Sequence, residues 1–203
     1  MKRIFIFSAL VILLLIGFKN FACSQNASIE YTKATSKKLK SEAEEVKKLN
    51  SNNEKYNQEI AFLIDMKIHS GKNRFFVYDL KTDKIIEKGL VAQGSGSETQ
   101  SAAIPKFSNV DGSLCTSLGK YAVGGSYNGK FGKSYKLYGL DESNSNAFNR
   151  NIVLHQYADV PFGEQDDYIC NSFGCPMVNK KFYSILEKTI DSSKKQIILS
   201  IYY

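Results

Sequence analysis

The residues best suited to chemistry in this sequence are a cysteine on a small-residue turn and a histidine 20 positions before it. Cys175 lies in the segment Asn171–Pro176, and His155 is one of only two histidines in the chain. A thiol is only slightly ionised at neutral pH, and a neighbouring imidazole can take its proton to give a nucleophile. Gly174 permits a tight turn that could direct backbone amides at an oxyanion. We therefore predict that Cys175 is a nucleophile and His155 its base.

Two elements would have to position these side chains. The apolar run Ile152–His155 predicts a strand that ends at the histidine, and Lys180–Ile190 predicts a helix after the cysteine turn. A histidine at the end of a strand is often only a structural hydrogen-bonding residue, and a lone loop cysteine is often inert. The test is geometric, because a base must reach the thiol within hydrogen-bond distance.

The rest of the chain is typical of a mainly β domain. Its 203 residues are 43% hydrophobic, enough for one core, and 13 Phe and 12 Tyr in short apolar runs favour strands. An amphipathic helix is predicted for Ser36–Leu49, with Ser36 as its cap. Further strands are predicted at Glu59–Ile68, Arg74–Leu80, Lys84–Ala92, Tyr121–Gly125, Tyr135–Leu140 and Gln196–Tyr203.

A long segment rich in glycine and serine, residues 93–120, separates two of the predicted strands. A loop of this length in a compact domain is often functional. Its glycines match neither a Walker loop nor a dinucleotide fingerprint, because no Gly-Lys-Ser/Thr follows and no helix begins there. The second histidine, His69, lies in a Ser-Gly turn signal, and we expect it at the surface.

The first 24 residues are typical of a signal peptide. Lys2 and Arg3 precede the apolar run Ile4–Phe18, which is short for a membrane span. Cleavage between Ser24 and Gln25 is one outcome, lipidation of Cys23 with a membrane tether is another, and an uncleaved anchor is a third. We expect an exported protein in the periplasm or on the outer face of the envelope. Residues 25–58 would form a linker and the amphipathic helix, and residues 59–203 the main domain.

Charge gives no indication of a nucleic-acid partner. Removing residues 1–24 takes away three of the 27 basic residues and none of the 20 acidic ones, so the net charge falls from +7 to +4. The remaining lysines alternate with acidic residues and form no dense basic stripe. We expect a monomer that does not bind nucleic acid.

Three cysteines would remain after removal of the signal peptide: Cys115, Cys170 and Cys175. In an oxidising compartment an odd number leaves at least one thiol free or paired with another chain, which fits a catalytic Cys175. A Cys115–Cys170 disulfide stays open, since sequence gives no distance between them. A metal site is not expected, because the histidines lie far apart and no Cys-x-x-Cys occurs.

From about Phe62 to Tyr203 the sequence resembles the secreted L,D-transpeptidases, the YkuD-like family, in their murein branch. The resemblance rests on Ile152–His155 with Asn171–Pro176, and on further motifs in the same order along the chain. These are Ser70–Leu80, Phe107–Asn109 with Gly112–Ser113, Ser117–Gly119, and Asn144-x-Asn146-Ala147-x-x-Arg150. Several ordered motifs make the match more specific than the cysteine turn alone.

The resemblance implies a β-sandwich or barrel catalytic domain with a few helices and an N-terminal helical extension. It implies that Cys175 attacks a peptidoglycan stem tetrapeptide, releases D-alanine, and passes the acyl group to an amine, without a metal or nucleotide cofactor. His155 would be the base, amides around Gly174 and Cys175 would hold the oxyanion, and Ser172 would support the histidine or the turn.

The resemblance also indicates a substrate-binding region. Asn109 and Ser113 match a family loop expected to border the cleft. Arg150 is a hypothesis from its chemistry, because a guanidinium suits bidentate carboxylate recognition; a structural role for it is the alternative. Gln156, Asn171, Phe173 and Met177 depart from the family pattern of glycine, arginine, histidine or tryptophan, and arginine, respectively, so substrate preference stays open.

Three other functions are compatible with the sequence. An L,D-carboxypeptidase would hydrolyse the same acyl enzyme with water. A noncatalytic module that binds the cell envelope would retain the fold without turnover. A thiol redox protein would use Cys170 and Cys175, although their spacing is not that of a Cys-x-x-Cys motif.

Overall fold

The structure is a computed structural model that describes residues 32–98 and 104–203. The chain divides into two units, residues 1–41 and 42–203, and the architecture below is that of the second. Helix α1 covers residues 32–51. The prediction that Ser36 caps this helix was wrong, because the preceding residues contain no glycine or proline that would stop it. Within the second unit, Ala43 and Val46 of α1 are buried, as helical spacing predicts.

Nine strands follow α1 in the described part of the chain. They are β1 (Tyr56–Asp65), β2 (Phe75–Asp79), β3 (Lys84–Gly89), β4 (Val91–Ala92), β5 (Gly119–Gly129), β6 (Gly132–Gly139), β7 (Val153–Gln156), β8 (Met177–Val178) and β9 (Gln196–Tyr202). They form one mixed sheet in the order β3-β2-β1-β9-β5-β6-β7-β8-β4. Short 3₁₀ turns occur at Ser95–Ser97 and Glu142–Asn144, and helix α2 spans Lys180–Ser192. The mainly β fold class is confirmed.

The sheet curves round until its two edges meet. Strands β3 and β4 lie at opposite ends of the strand order, yet only Leu90 separates them in sequence. Consecutive Cα atoms are about 3.8 Å apart, so the two edges must be neighbours in space. The prediction of one strand across Lys84–Ala92 was therefore wrong: β3 pairs with β2, whereas β4 pairs with β8.

Arg74 joins these two edges. Its backbone N–H donates to the carbonyl of Gly89 at 3.2 Å. Its side-chain Nε and Nη2 both donate to the carbonyl of Val91, at 3.0 and 2.8 Å. The guanidinium is 1% exposed, and burial lowers its pKa to about 10. Arg74 thus fixes the chain on both sides of Leu90, Gly89 through its backbone and Val91 through its side chain.

The centre of the sheet is formed by strands from the two ends of the domain. Strand β9 pairs in parallel with β1 and antiparallel with β5, and Leu199 lies between Phe62 and Tyr121. All three side chains are fully buried. Helix α2 covers this core through Phe182, whose ring packs edge-on against Phe75 at 5.3 Å. The central strands therefore depend on the last strand of the chain.

Helix α2 and most strands lie within a few residues of their predicted bounds. The predicted helix Lys180–Ile190 extends to Ser192, and the Asn179 side chain caps it by accepting the N–H of Lys181 at 2.8 Å. The predicted signal peptide, residues 1–24, lies outside the described residues. Among the residues that are described, no helix is both long and apolar enough to cross a membrane.

Candidate active site

Strands β7 and β8 bring the predicted histidine and cysteine into neighbouring segments. The two strands run parallel, with His155 opposite Met177. The His155 N–H donates to the carbonyl of Pro176 at 3.4 Å, and the Val153 N–H donates to the Sγ of Cys175 at 3.4 Å. The cysteine turn therefore enters β8 directly alongside the strand that carries the histidine.

The ring of His155 is fixed in one tautomer. Its Nδ1 lies 2.9 Å from the backbone carbonyl of Gln156, which only accepts hydrogen bonds, so Nδ1 carries the proton. Nε2 is consequently unprotonated in the neutral ring and can accept a proton. Burial of the ring lowers the pKa of His155 below 6.5. The imidazole is thus a neutral base at physiological pH.

The thiol of Cys175 is also kept neutral. Burial raises its pKa above the ordinary value of 9.0, although the Val153 N–H and the nearby Arg150 charge oppose that shift. The Sγ–H donates to the carbonyl of Asn151 at 3.7 Å. No hydrogen bond joins Cys175 and His155 in the described part of the chain, so the resting site holds a thiol and an imidazole rather than an ion pair.

Ser172 and Gly174 shape the turn before the nucleophile. The Gly174 N–H donates to the Ser172 hydroxyl at 3.1 Å. Gly174 has φ +116, and a Cβ there would lie 2.9 Å from the Cys115 carbonyl and 3.3 Å from a nitrogen of Arg150. Both the backbone conformation and the available space require glycine.

The turn rests on the segment that follows β4. The Ser172 N–H donates to the Gln93 carbonyl, and the Ser95 N–H donates to the Ser172 carbonyl, both at 2.7 Å. The Gln93 side chain accepts a bond of 3.2 Å from Arg74. Arg74, at the junction of the sheet edges, is thus connected to the cysteine turn through two hydrogen bonds of Gln93.

A second layer, residues 113–117, lies beneath that segment. The Gly96 N–H donates to the Leu114 carbonyl at 3.1 Å, and the Gly94 N–H donates to the Thr116 hydroxyl at 2.9 Å. A Cβ on Gly94 would lie 2.1 Å from the Leu114 carbonyl, so the two backbones meet without room for a side chain. Residues 93–97 and 113–117 of the long Gly/Ser-rich segment are therefore packed layers under the turn.

The Arg150 guanidinium binds this second layer. It donates to the carbonyls of Ser108 and Cys115 at 2.9 and 2.8 Å. It also donates to the hydroxyls of Ser117 and Ser113 at 2.5 and 3.3 Å. These bonds tie residues 108–117 to Arg150, and substrate binding by this arginine stays a prediction.

Asn109 and Ser113 make similar loop contacts. The Asn109 side chain donates to the Glu142 carbonyl at 2.9 Å and accepts from the Asn146 N–H at 3.1 Å. The Ser113 hydroxyl donates to the Val110 carbonyl at 2.6 Å. Asn109, Ser113 and Arg150 do not line the cavity described next.

A cavity of about 350 Å³ opens at the cysteine turn. His155, Cys175 and Ser172 line it together with Asn171, Phe173 and Met177, which are three of the four positions that depart from the family pattern. The structure thus brings together the predicted nucleophile, the base and the turn serine, and Gly174 lies in the same turn.

Three lining residues were missed by the sequence reasoning: Lys130, Phe131 and Tyr157. Lys130 and Phe131 form the tip of the β5–β6 hairpin. The Phe131 ring stacks on the His155 ring with centroids 4.4 Å apart and meets Tyr157 edge-on at 5.8 Å. An aromatic residue exposed between Gly129 and Gly132 was the available signal, because a hairpin tip is usually polar.

The other thiols and the second histidine play no visible part in this site. Cys115, Cys170 and Cys175 are all free thiols, so the Cys115–Cys170 disulfide is not formed. His69 is half-buried rather than fully exposed, and its Nδ1 accepts the Gly71 N–H at 3.1 Å. Within residues 32–98 and 104–203, no cluster of three or more His, Cys, Asp or Glu could hold a metal ion.

Several solved structures are similar to this chain at low sequence identity. The L,D-transpeptidase of Xylanimonas cellulosilytica is 14% identical, with 71% of this chain and 60% of that chain covered and a TM-score of 0.39. The L,D-transpeptidase of Mycobacterium smegmatis is 11% identical, covers 71% and 59%, and has a TM-score of 0.42. The helical cell shape determining protein Pgp2 of Campylobacter jejuni is 14% identical, covers 70% and 47%, and has a TM-score of 0.45.

The chain spans less than two thirds of the length of each of these structures. No curated protein matches the sequence. The family resemblance found in the ordered motifs is nevertheless confirmed over most of the chain. The sequence model of the L,D-transpeptidase catalytic domain, YkuD_2, matches residues 30–202, and the chain therefore belongs to that family.

Proposed function

We propose that the protein is a peptidoglycan L,D-transpeptidase that forms an acyl enzyme on Cys175 from a stem tetrapeptide. One observation carries the proposal: Cys175 shares a cavity with a histidine whose Nδ1 is bound to a carbonyl, which leaves Nε2 as the proton acceptor. Membership of the L,D-transpeptidase family supplies the substrate class. Arg150 and the loop bearing Asn109 and Ser113 support the turn in this proposal rather than touching substrate.

Proton transfer accompanies nucleophilic attack in this mechanism. The neutral thiol gives its proton to Nε2 of His155 as Sγ bonds to the carbonyl carbon of the donor peptide. The tetrahedral intermediate collapses, the imidazolium protonates the departing amine of D-alanine, and a thioester remains on Cys175. An amine on a second stem then attacks the thioester, loses its proton to His155, and releases the thiol.

The thiol must turn from Asn151 toward His155 before it can react. Rotation about the Cα–Cβ bond breaks the long bond to the Asn151 carbonyl, at 3.7 Å, and the bond of 3.4 Å that Sγ accepts from the Val153 N–H. Substrate in the cavity would favour the rotated thiol because only that position reaches both the carbonyl carbon and the base.

The backbone amide of Cys175 is the best candidate for an oxyanion donor. The Gly174 N–H is already bound to the Ser172 hydroxyl. The Cys175 N–H, by contrast, has no hydrogen-bond partner among the described residues. Ser172 then acts on the turn, by holding Gly174 so that the next amide stays available.

Mass spectrometry of the protein with a purified tetrapeptide donor tests the proposal. We expect a covalent acyl adduct on Cys175 in the wild type, none in Cys175→Ala, and acylation at least about 100-fold slower in His155→Gln. An adduct that persists in Cys175→Ala would exclude this nucleophile. With an acceptor amine present, a cross-linked dimer indicates transfer, whereas a shortened stem indicates the carboxypeptidase reaction.

Export is part of the same proposal. A signal peptide across residues 1–24 would place the domain where stem peptides are found. Intact-mass measurement of protein from cells distinguishes cleavage ahead of Gln25 from lipidation at Cys23. A full-length chain that remains in the cytosol would contradict export.

A further inference from the structure

The cavity carries one full positive charge at neutral pH. Of the residues that line it, only Lys130 bears a charge, since burial keeps the imidazole of His155 neutral. Arg150, the other cation near Cys175, donates four hydrogen bonds to the 108–117 loop and does not line the cavity. A negatively charged ligand in this cavity therefore has Lys130 as its available cationic partner.

The Lys130 ammonium has no ion pair within the described part of the chain. Its Nζ lies 5.8 Å from the centroid of the Phe131 ring. Lys133 in the same hairpin differs, because its Nζ lies 3.1 Å from Glu187 and 2.5 Å from Asp191. Lys130 therefore lies on the cavity wall without an ion pair among the described residues, whereas Lys133, three residues further on, is paired outside the cavity.

The hairpin holds Lys130 close to the reacting groups. Gly129 pairs with Gly132 across the β5–β6 turn, so Lys130 and Phe131 are the two residues of the tip. Gly132, directly after the tip, has φ +80, a left-handed conformation that glycine adopts without steric cost. Phe131 stacks directly on His155, which fixes the tip beside the base. The ammonium is therefore attached to the residue that covers the imidazole.

The surroundings favour a carboxylate at this position. Phe131, Tyr157 and Met177 give the cavity an apolar wall, and Lys130 itself is exposed, so its ammonium is accessible to a carboxylate that enters from solvent. A tetrapeptide donor ends in a carboxylate only one residue beyond the bond that Cys175 attacks. A side-chain carboxylate within the stem is a second source of the same chemistry.

We propose that Lys130 is a substrate-binding residue that pairs with a carboxylate of the donor peptide. This assignment rests on the proposed function, because it takes the ligand to be the peptide that acylates Cys175. It gives the β5–β6 hairpin two roles, in which Phe131 covers the base and Lys130 recognises the charge of the substrate.

Acylation kinetics on matched donors test the assignment. We expect Lys130→Gln to lower kcat/KM about tenfold on the free-acid tetrapeptide, chiefly through KM, with Lys130→Arg retaining most of it. The matched control is Lys84→Gln, which removes the same charge from exposed strand β3 outside the cavity. On a donor with every carboxyl amidated, Lys130→Gln should equal wild type.

Donors amidated at one position identify the carboxylate. If the terminal carboxylate is the ligand, amidating it alone removes the effect of Lys130→Gln; if an internal carboxylate is the ligand, the effect persists on that donor. Lys130→Gln matching Lys84→Gln on the free acid would overturn the assignment. An equal loss on the fully amidated donor would also overturn it, because the residue would then act on the hairpin and not on charge.

Equilibrium binding separates this assignment from the proposed reaction. Calorimetry with Cys175→Ala, with and without Lys130→Gln, measures tetrapeptide binding where no acylation can occur. Weaker binding in the double variant with no acylation by wild type would support the subsite and refute the reaction. Normal acylation with no dependence on Lys130 would support the reaction and refute the subsite.

Discussion

At the scale of single residues, the reacting pair is held neutral in both members. Burial lowers the pKa of His155 and raises that of Cys175, so proton transfer between them is unfavourable until substrate is attacked. A neutral thiol is a poorer target for oxidants than a thiolate, because oxidation follows thiolate character. Burial thus favours the thiol over the more easily oxidised thiolate in the resting site.

The pH dependence of acylation follows from the histidine. His155 must be deprotonated to act as base, and its pKa lies below 6.5, so activity should be lost only as the pH falls through that lower value. We expect the acid limb of kcat/KM for acylation to have its midpoint below pH 6.5. Stopped-flow mass spectrometry between pH 4 and 8 measures it, and a midpoint above 6.5 would contradict a buried neutral base.

Replacing the ring that covers the base should move that midpoint. Phe131→Leu removes the stacked ring and admits water to the imidazole, so the pKa of His155 should rise toward 6.5 and the acid limb should shift upward. The matched control is Phe148→Leu, which removes a ring stacked on Tyr138 at 5.2 Å outside the cavity. Identical midpoints in the two variants would show that Phe131 does not shield the base.

The reacting residues could be predicted because cysteine and histidine are rare in this chain. Their neighbours in the cavity could not, because only the tertiary structure brings them close. Cys175 and His155 could be chosen from sequence because the chain offers few thiols and imidazoles, and ordered motifs surround them. Lys130 and Phe131 precede His155 by more than 20 residues on another hairpin, and lysine is common in this chain. Their proximity results from the antiparallel pairing of β6 with β7, which sequence pattern does not specify.

At the scale of elements, the cysteine turn is supported by layers of irregular backbone. The turn rests on residues 93–97, which rest on residues 113–117, and Arg150 holds that last layer from below. Such segments show no hydrophobic period, which explains why sequence reasoning identified a long loop but not its packing. Gly94 and Gly174, which the close backbone contacts require, are the part of this arrangement that could be seen in the sequence.

Arg150→Lys tests whether this support depends on the planar guanidinium. An ammonium cannot reach the carbonyls of Ser108 and Cys115 together with two hydroxyls, so the free energy of unfolding should fall by about 2 kcal/mol. Urea denaturation measures the change. The KM for donor should be nearly unaffected in the folded variant, and a KM increase without loss of stability would instead support direct substrate binding by Arg150.

The split of the predicted strand Lys84–Ala92 has a similar cause. The run is continuous in sequence, and strand propensity favours both halves. Only pairing partners distant in sequence, β2 for one half and β8 for the other, separate the two strands at Leu90. Local pattern predicts that a segment is extended, but not which neighbour it joins.

At the scale of the whole molecule, closure of the sheet and construction of the site occur at the same place. Arg74 binds the carbonyls of Gly89, Val91 and Ile68 and the side chain of Gln93, and the Gln93 carbonyl accepts the N–H of Ser172. The nucleophile's turn is thus attached to the junction of the sheet edges. Loss of the hydrogen bonds at the junction should therefore disturb the turn that carries Cys175.

Arg74→Met tests this connection. Removing the guanidinium leaves several buried acceptors without a donor, so the free energy of unfolding should fall by about 3 kcal/mol or more. Thermal and urea denaturation measure it, with Lys88→Met on exposed strand β3 as the control. In the fraction that remains folded, iodoacetamide should label Cys175 faster. A variant as stable as its control would show that the junction does not need this arginine.

The position of β9 between β1 and β5 also affects when the centre of the sheet can form during folding. The last strand of the chain, Gln196–Tyr202, supplies the hydrogen-bonding partner of the first strand. Without residues 196–202, β1 and β5 lack the strand that lies between them. Pairing between strands so far apart in sequence is intrinsically slow, so we expect the centre of the sheet to form late in folding.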